Sequence, residues 1–136
     1  MGEWNADVSE PTGGAPVSAS RFPRWVYTEG GEPDPRFTLA NERTFLAWIR
    51  TALALIAGGV ALEALALPIQ PGLRIAASAL LLVLGLVAPL LAWFGWAGTE
   101  RALRCGRPLP SSRLGLLLAV GVAAVAVLVL VGMLVT

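Results

Sequence analysis

The sequence predicts an all-α integral membrane protein of three transmembrane helices, the first extended into the cytoplasm, assembled as a homo-oligomer. Three observations carry that prediction. Hydrophobic residues make up 56% of the chain and charged residues only 14%, whereas soluble domains hold about 25% charged residues. Three long stretches, at about residues 47–67, 75–97 and 114–135, are almost free of charge. Each is close to the ~20 residues a helix needs to cross a ~30 Å hydrocarbon core. Finally, the arginines gather beside alternate ends of those stretches.

Residues 1–33 are rich in Gly, Pro, Ser, Ala and Glu. Such a segment buries too little apolar surface to order itself, so it reads as a disordered cytoplasmic tail. It has no apolar run, and no cleavable signal peptide is expected. Within it, Arg21-Phe22-Pro23-Arg24-Trp25-Val26-Tyr27 forms an aromatic and basic patch. Two readings stand for that patch: resting on anionic headgroups, or docking a partner.

The three-helix domain spans 34–136. Its first helix starts at Asp34-Pro35, an N-cap residue followed by a proline that fits the first helical turn. No breaker follows until Pro68 and Pro71-Gly72, which predicts a helix over about 35–67. At 1.5 Å per residue that is roughly 48–50 Å, so its first turns must project beyond the lipid. The second span covers about 75–97, locally loosened by Pro89, with Trp93 and Trp96 near its end at headgroup level. The third, 114–135, carries no charge.

Arginine placement sets the orientation. Arg21, Arg24, Arg36 and Arg43 precede the first span, and Arg101, Arg104, Arg107 and Arg113 fill the second loop. The first loop has only Arg74, and the C-terminal end has none. Basic loops stay in the cytoplasm. The N-terminus and second loop are therefore expected inside a plasma membrane, with the C-terminus outside.

Composition also excludes functions. Net charge is +1, there is no histidine, and Cys105 is the single cysteine. No nucleic-acid partner, cofactor, metal site or catalytic residue is expected, because the spans lack paired carboxylates and any nucleophile with a base.

The first helix holds the one unusual pattern. Steps of four and three from Arg36 pass through Ala40, Arg43, Ala47, Arg50, Ala54, Ala57, Ala61 and Ala64. Residues seven apart differ by only about 20° around a helix, so Arg36, Arg43 and Arg50 form one line. Small residues let helices approach closely in lipid, which makes Ala47 and Ala54 supporting positions for self-association. Arginine at membrane depth costs at least ~2.5–3.5 kcal/mol and needs water, a phosphate or a carboxylate.

Two readings of the line stand. In one, several copies place it around a shared axis, and the arginines line an anion pathway. The planar guanidinium fork favours phosphate-bearing anions. In the other, the arginines snorkel to lipid phosphates and fix topology in a non-conducting adaptor that recruits a partner. Glu42, about 100° from Arg43 on the helix, is expected to support the site by pairing with an arginine of another helix, Arg101 or Arg104. Glu63, near the outer end, is expected to line a vestibule or to reach outer-leaflet water.

The segment Asp34-Pro35-Arg36-Phe37-Thr38-Leu39-Ala40-Asn41-Glu42-Arg43-Thr44-Phe45-Leu46-Ala47-Trp48-Ile49-Arg50-Thr51 resembles the signature of the YidH-like family of small three-span membrane proteins. The resemblance covers about residues 34–136 in architecture, with the specific motif confined to 34–51. The same domain is similar to the membrane part of the fungal vacuolar transporter chaperone complex, which makes polyphosphate and moves it across a membrane. That likeness implies an oligomeric pore in which Arg36 and Arg43 contact the polyanion, with Glu42 as the adjacent acid. Arg50 matches only the bacterial form of the motif. The 33 residues ahead of the motif are too few for a polymerase, so no catalysis is implied.

Overall fold

The computed structural model describes residues 21–28, 30–111 and 113–136. Four helices follow in order: α1 (Arg24–Tyr27), α2 (Pro35–Ala64), α3 (Pro71–Arg104) and α4 (Leu114–Leu134). The last three are long and apolar enough to cross a membrane.

Helix starts follow local chemistry. The Asp34 carboxylate accepts from Arg36 N at 2.9 Å, and Pro35 occupies the first turn. The device recurs at α3, where Gln70 Oε1 accepts from Leu73 N at 2.7 Å and Pro71 follows. Pro71 was expected to help stop the first helix; it opens the second. The start at 71 rather than 75 follows, because a proline without an N–H fits a first turn as well as a stop.

Helix ends also depart from expectation. α2 closes at Ala64, not 67. Leu65 N still bonds to Ala61 O, but Ala66 then enters the left-handed region at φ 44°. Pro68 disfavours helical backbone at Leu67, and the turn must be completed before it. α3 runs on to Arg104 instead of stopping at 97. Charge alone does not end a helix, and Arg101 and Arg104 complement the negative end of its dipole. Gly106, at φ 61°, closes it. α4 ends one residue short of the expected 135.

α3 is the central element. α2 and α4 pack against it on different faces, and α1 rests near its basic end. The α2–α3 contact is close because it is built on small residues. Ser78 Oγ donates to Gly59 O at 2.7 Å, and a Cβ at Gly85 would press into Ile56 and the Ala52 carbonyl. Gly121 plays the same part on α4, directly against Leu84. A core of Ala52, Leu55, Ala77, Leu81, Leu84 and Leu118 lies along these contacts. At the other end, Gln70 N bonds to Gly132 O at 3.0 Å, tying the α2–α3 loop to the end of α4.

The disordered tail expected over 1–33 is corrected for its second part; residues 1–20 lie outside the described residues. Val26 is fully buried, and Gly31 N donates to Arg104 O at 3.1 Å. Gly30 is required there: its φ is 68°, and a Cβ would collide with the Arg104 carbonyl. The aromatic and basic patch thus docks on its own α3. The docking rests on Val26 in a helix of a single turn, too short for periodicity to reveal.

Candidate functional site

The residues of α2 divide sharply between two faces. Ala52, Leu55 and Gly59 are buried, and Asn41, Phe45, Trp48 and Leu62 are half-buried on the same side. Their spacing of four and three is the helical repeat of one packing face. Arg36, Arg43 and Arg50 are all exposed, as are Ala40, Ala47, Ala54 and Ala57. The two sets lie roughly 150° apart around the helix at 100° per residue. Within the single chain, the arginine line therefore faces away from α3. From Arg36 to Arg50 it spans roughly 21 Å along the axis.

Two threonines beside this line turn inward on their own helix. Thr44 Oγ1 donates to Ala40 O and Thr51 Oγ1 to Ala47 O, each at 3.1 Å. Such back-bonding satisfies the hydroxyl locally and leaves the guanidinium groups as the strong donors of the face. Glu42 is exposed on α2. Of its two expected partners, Arg101 and Arg104, the second meets Glu32 instead: Arg104 Nη2 lies 3.3 Å from Glu32 Oε1. The docked segment reaches Arg104 first, because it crosses the end of α3. Glu63 is exposed, and its Oε1 lies 3.5 Å from Arg74 Nε across the α2–α3 turn.

A second polar group, unforeseen in the sequence, joins the basic ends of the helices. Glu100 on α3 is only 1% exposed and accepts from Thr38 Oγ1 of α2 at 3.2 Å. Arg104, one turn on, is also buried, and its guanidinium carbon sits 4.7 Å from the Tyr27 ring centre. Burial of the phenol, then the charge of Glu100, raises the Tyr27 pKa; Arg21 and Arg104 pull it down less. Nothing in the linear sequence pairs Thr38 with Glu100, since the contact depends on the relative rotation of two helices.

Asn41 was likewise given no role, yet its Nδ2 donates to Trp96 O at 3.1 Å. Trp93 and Trp96, expected as headgroup anchors, lie 5.2 Å apart and stack around Phe45 at 6.2 and 6.3 Å. The segment 36–51 thus has two separable parts. Thr38, Asn41, Phe45 and Trp48 hold α2 to its neighbours, while Arg36, Arg43 and Arg50 point outward.

The domain of unknown function DUF202 aligns with residues 36–102, from the first arginine of the line to the turn holding Glu100. The inner membrane protein YidH of Escherichia coli K12 is 44% identical over 105 residues, covering 74% of this chain and 89% of YidH. The chain belongs to the YidH-like DUF202 family. The uncharacterized protein Rv2272 of Mycobacterium tuberculosis H37Rv is 45% identical over 100 residues, covering 73% of this chain and 82% of that protein. No solved structure matches. Membership and three long apolar helices make this a multi-pass membrane protein of a family whose function is unknown.

Proposed function

We propose that the chain self-associates through the outward face of α2 into an oligomer whose aligned Arg36, Arg43 and Arg50 line an anion pathway. The observation that carries this reading is the exposure of all three arginines, with Ala40, Ala47 and Ala54, on the α2 face turned away from α3. Guanidinium stays charged, and hydrocarbon around Arg50 costs at least ~2.5–3.5 kcal/mol. A water-filled axis between copies removes that cost, and the alanines permit the close approach that encloses it. The planar fork of arginine favours phosphate-bearing anions, including polyphosphate. The resemblance to the fungal polyphosphate-handling complex adds support.

On this proposal the protein is not an enzyme, and it sits in the plasma membrane. The N-terminus and second loop face the cytoplasm by the arginine bias of those segments, and the C-terminus lies outside. The test is flux through purified protein in liposomes, with chloride, phosphate and short polyphosphate as separate ions and cation leak as control. Anion flux should fall toward that of empty liposomes in Arg43→Ala and Arg50→Ala and persist in the Arg→Lys variants. Undiminished anion flux in both alanine variants removes these residues from the pathway.

One observation favours a second reading, a non-conducting adaptor. Phe22 is 81% exposed and Trp25 is also exposed on the docked segment, an arrangement suited to a protein partner. Deleting residues 1–33 separates the two: lost partner recovery supports the adaptor, and unchanged conduction supports the pathway.

A further inference from the structure

We infer that a cleft between the basic ends of α2, α3 and α4 is a binding site for one anionic phospholipid of the adjoining leaflet. The cleft encloses about 130 Å³. Its mouth toward the basic end is polar, with Asn41 and Thr44 from α2, Thr99 from α3 and Ser111 from the loop before α4. Deeper along the same helices the lining becomes apolar, with Trp48, Leu91 and Leu114. Along α2 and α3 the lining therefore runs from polar at the basic end toward apolar, which is the profile of an amphiphile.

Two hollows adjoin the cleft and place an arginine on each rim. One shares Thr44 and Trp48 with it and is bordered by Arg43. The other shares Leu91, Gly95, Ser111 and Leu114 and is bordered by Arg113 and Leu117. Leu91 and Leu117 are exposed, so this side opens laterally into the membrane. An acyl chain can enter there while its phosphate stays at the level of Arg113 and the Ser111 hydroxyl. A soluble anion would leave the apolar half of the cleft wet. A zwitterionic headgroup would gain less from two flanking guanidinium groups, whose attraction is for net negative charge.

The floor of the cleft is open at Gly95, where an added Cβ would meet nothing within 4 Å. That glycine gives a direct test, since Gly95→Leu adds bulk to the cleft lining from a Cβ that enters open space. Arg43 is shared with the proposed anion pathway, but Gly95 and Arg113 lie outside the α2 arginine line, so their variants test the lipid site without altering that line.

Full-length protein in mild detergent would be offered equimolar phosphatidylglycerol and phosphatidylcholine and weighed intact by native mass spectrometry. One phosphatidylglycerol should be retained in preference. Arg113→Gln should reduce that preference about five-fold, the attraction expected of one arginine near an anionic surface. Gly95→Leu should lose the retained lipid, while Leu130→Phe, on an exposed position of α4, keeps it. Circular dichroism checks that each variant retains its helices, and Arg113→Gln carries the test if Gly95→Leu does not. Equal retention of both lipids overturns the inference, as does unchanged retention in Gly95→Leu. An Arg113-dependent adduct of inorganic phosphate, with no lipid held, would assign the cleft to a free anion instead and overturn it too.

Discussion

The guanidinium carbon of Arg104 lies 4.7 Å from the centre of the Tyr27 ring, joining the end of α3 to the chain ahead of α2. The same guanidinium meets Glu32, and the Arg104 carbonyl accepts from Gly31 N. One residue thus holds the docked segment through its ring face, its acid and its backbone. Because only the carbonyl survives substitution, Arg104→Met should loosen the segment while leaving the helices intact. A cation–π contact contributes about 1 kcal/mol, or roughly a five-fold change in population. Trypsin cleavage after Arg21 and Arg24 in folded protein should accelerate by about that factor. An unchanged rate would mean that Val26 burial and the contacts left by the substitution, the Gly31 to Arg104 backbone bond among them, hold the segment.

Tyr27 reports on the same contact, and it is the single tyrosine of the chain. Its pKa lies above the ordinary 10.0, first through burial and then through the charge of Glu100. The docked state therefore binds the phenolic proton more tightly than the released state. Docking is at full strength below the ordinary pKa and is lost as pH rises through the raised one. Phenolate absorbance should titrate with a midpoint above 10.0 in the wild type, and Glu100→Gln should lower it. A midpoint at or below the ordinary value in folded wild type would contradict this.

Contact between α2 and α3 rests on small residues, and the two kinds of substitution should differ in size. Gly85→Val drives a side chain into Ile56 and the Ala52 carbonyl, an overpacking that costs about 1–3 kcal/mol. Ser78→Ala removes only the hydroxyl that reaches Gly59 O, worth about 0.6 kcal/mol between helices in membranes. Unfolding in mixed micelles should rank Gly85→Val well below Ser78→Ala. The reverse order would place the close approach elsewhere.

Ala66 carries backbone strain, with φ at 44° in the turn after α2. Left-handed backbone costs an alanine roughly 1–2 kcal/mol. Glycine removes that cost but adds about 0.4–1 kcal/mol of unfolded-state freedom. Ala66→Gly should therefore leave stability unchanged or raise it by up to ~1.6 kcal/mol in the same unfolding measurement. A clear loss would show that the alanine methyl is needed for packing.

Self-association through the arginine line predicts a specific cross-link. In a Cys105→Ser background, which removes the single native cysteine, Ala54→Cys should form a disulfide-linked dimer on mild oxidation in membranes. Leu86→Cys, exposed on α3, should stay monomeric. Equal cross-linking at both positions would indicate random collision.

The number of long apolar helices, the start of α2 and the alignment of its arginines on one line were legible in the sequence, because each depends on local chemistry. Asp34-Pro35 caps whatever helix follows it, and residues seven apart share a face in any helix. The same local reasoning failed where one signal had two meanings. Pro71 both stops and starts helices, and only the Gln70 side chain, bonded to Leu73 N, shows which applied. Docking of the chain ahead of α2 was not legible, since its partner Arg104 lies far along the chain.

By itself, then, the sequence determined how many times this chain crosses a membrane and which α2 residues share a face. Those properties follow from transfer energies and from 3.6 residues per turn, which need no partner. Tertiary structure decided that the alanine and arginine face is turned away from α3, that Glu100 meets Thr38, and that Arg104 meets Tyr27. The reason is that two helices of known faces still have a free relative rotation and register. Only the mutual fit of Gly59 to Ser78 and of Gly85 to Ala52 and Ile56 fixes them.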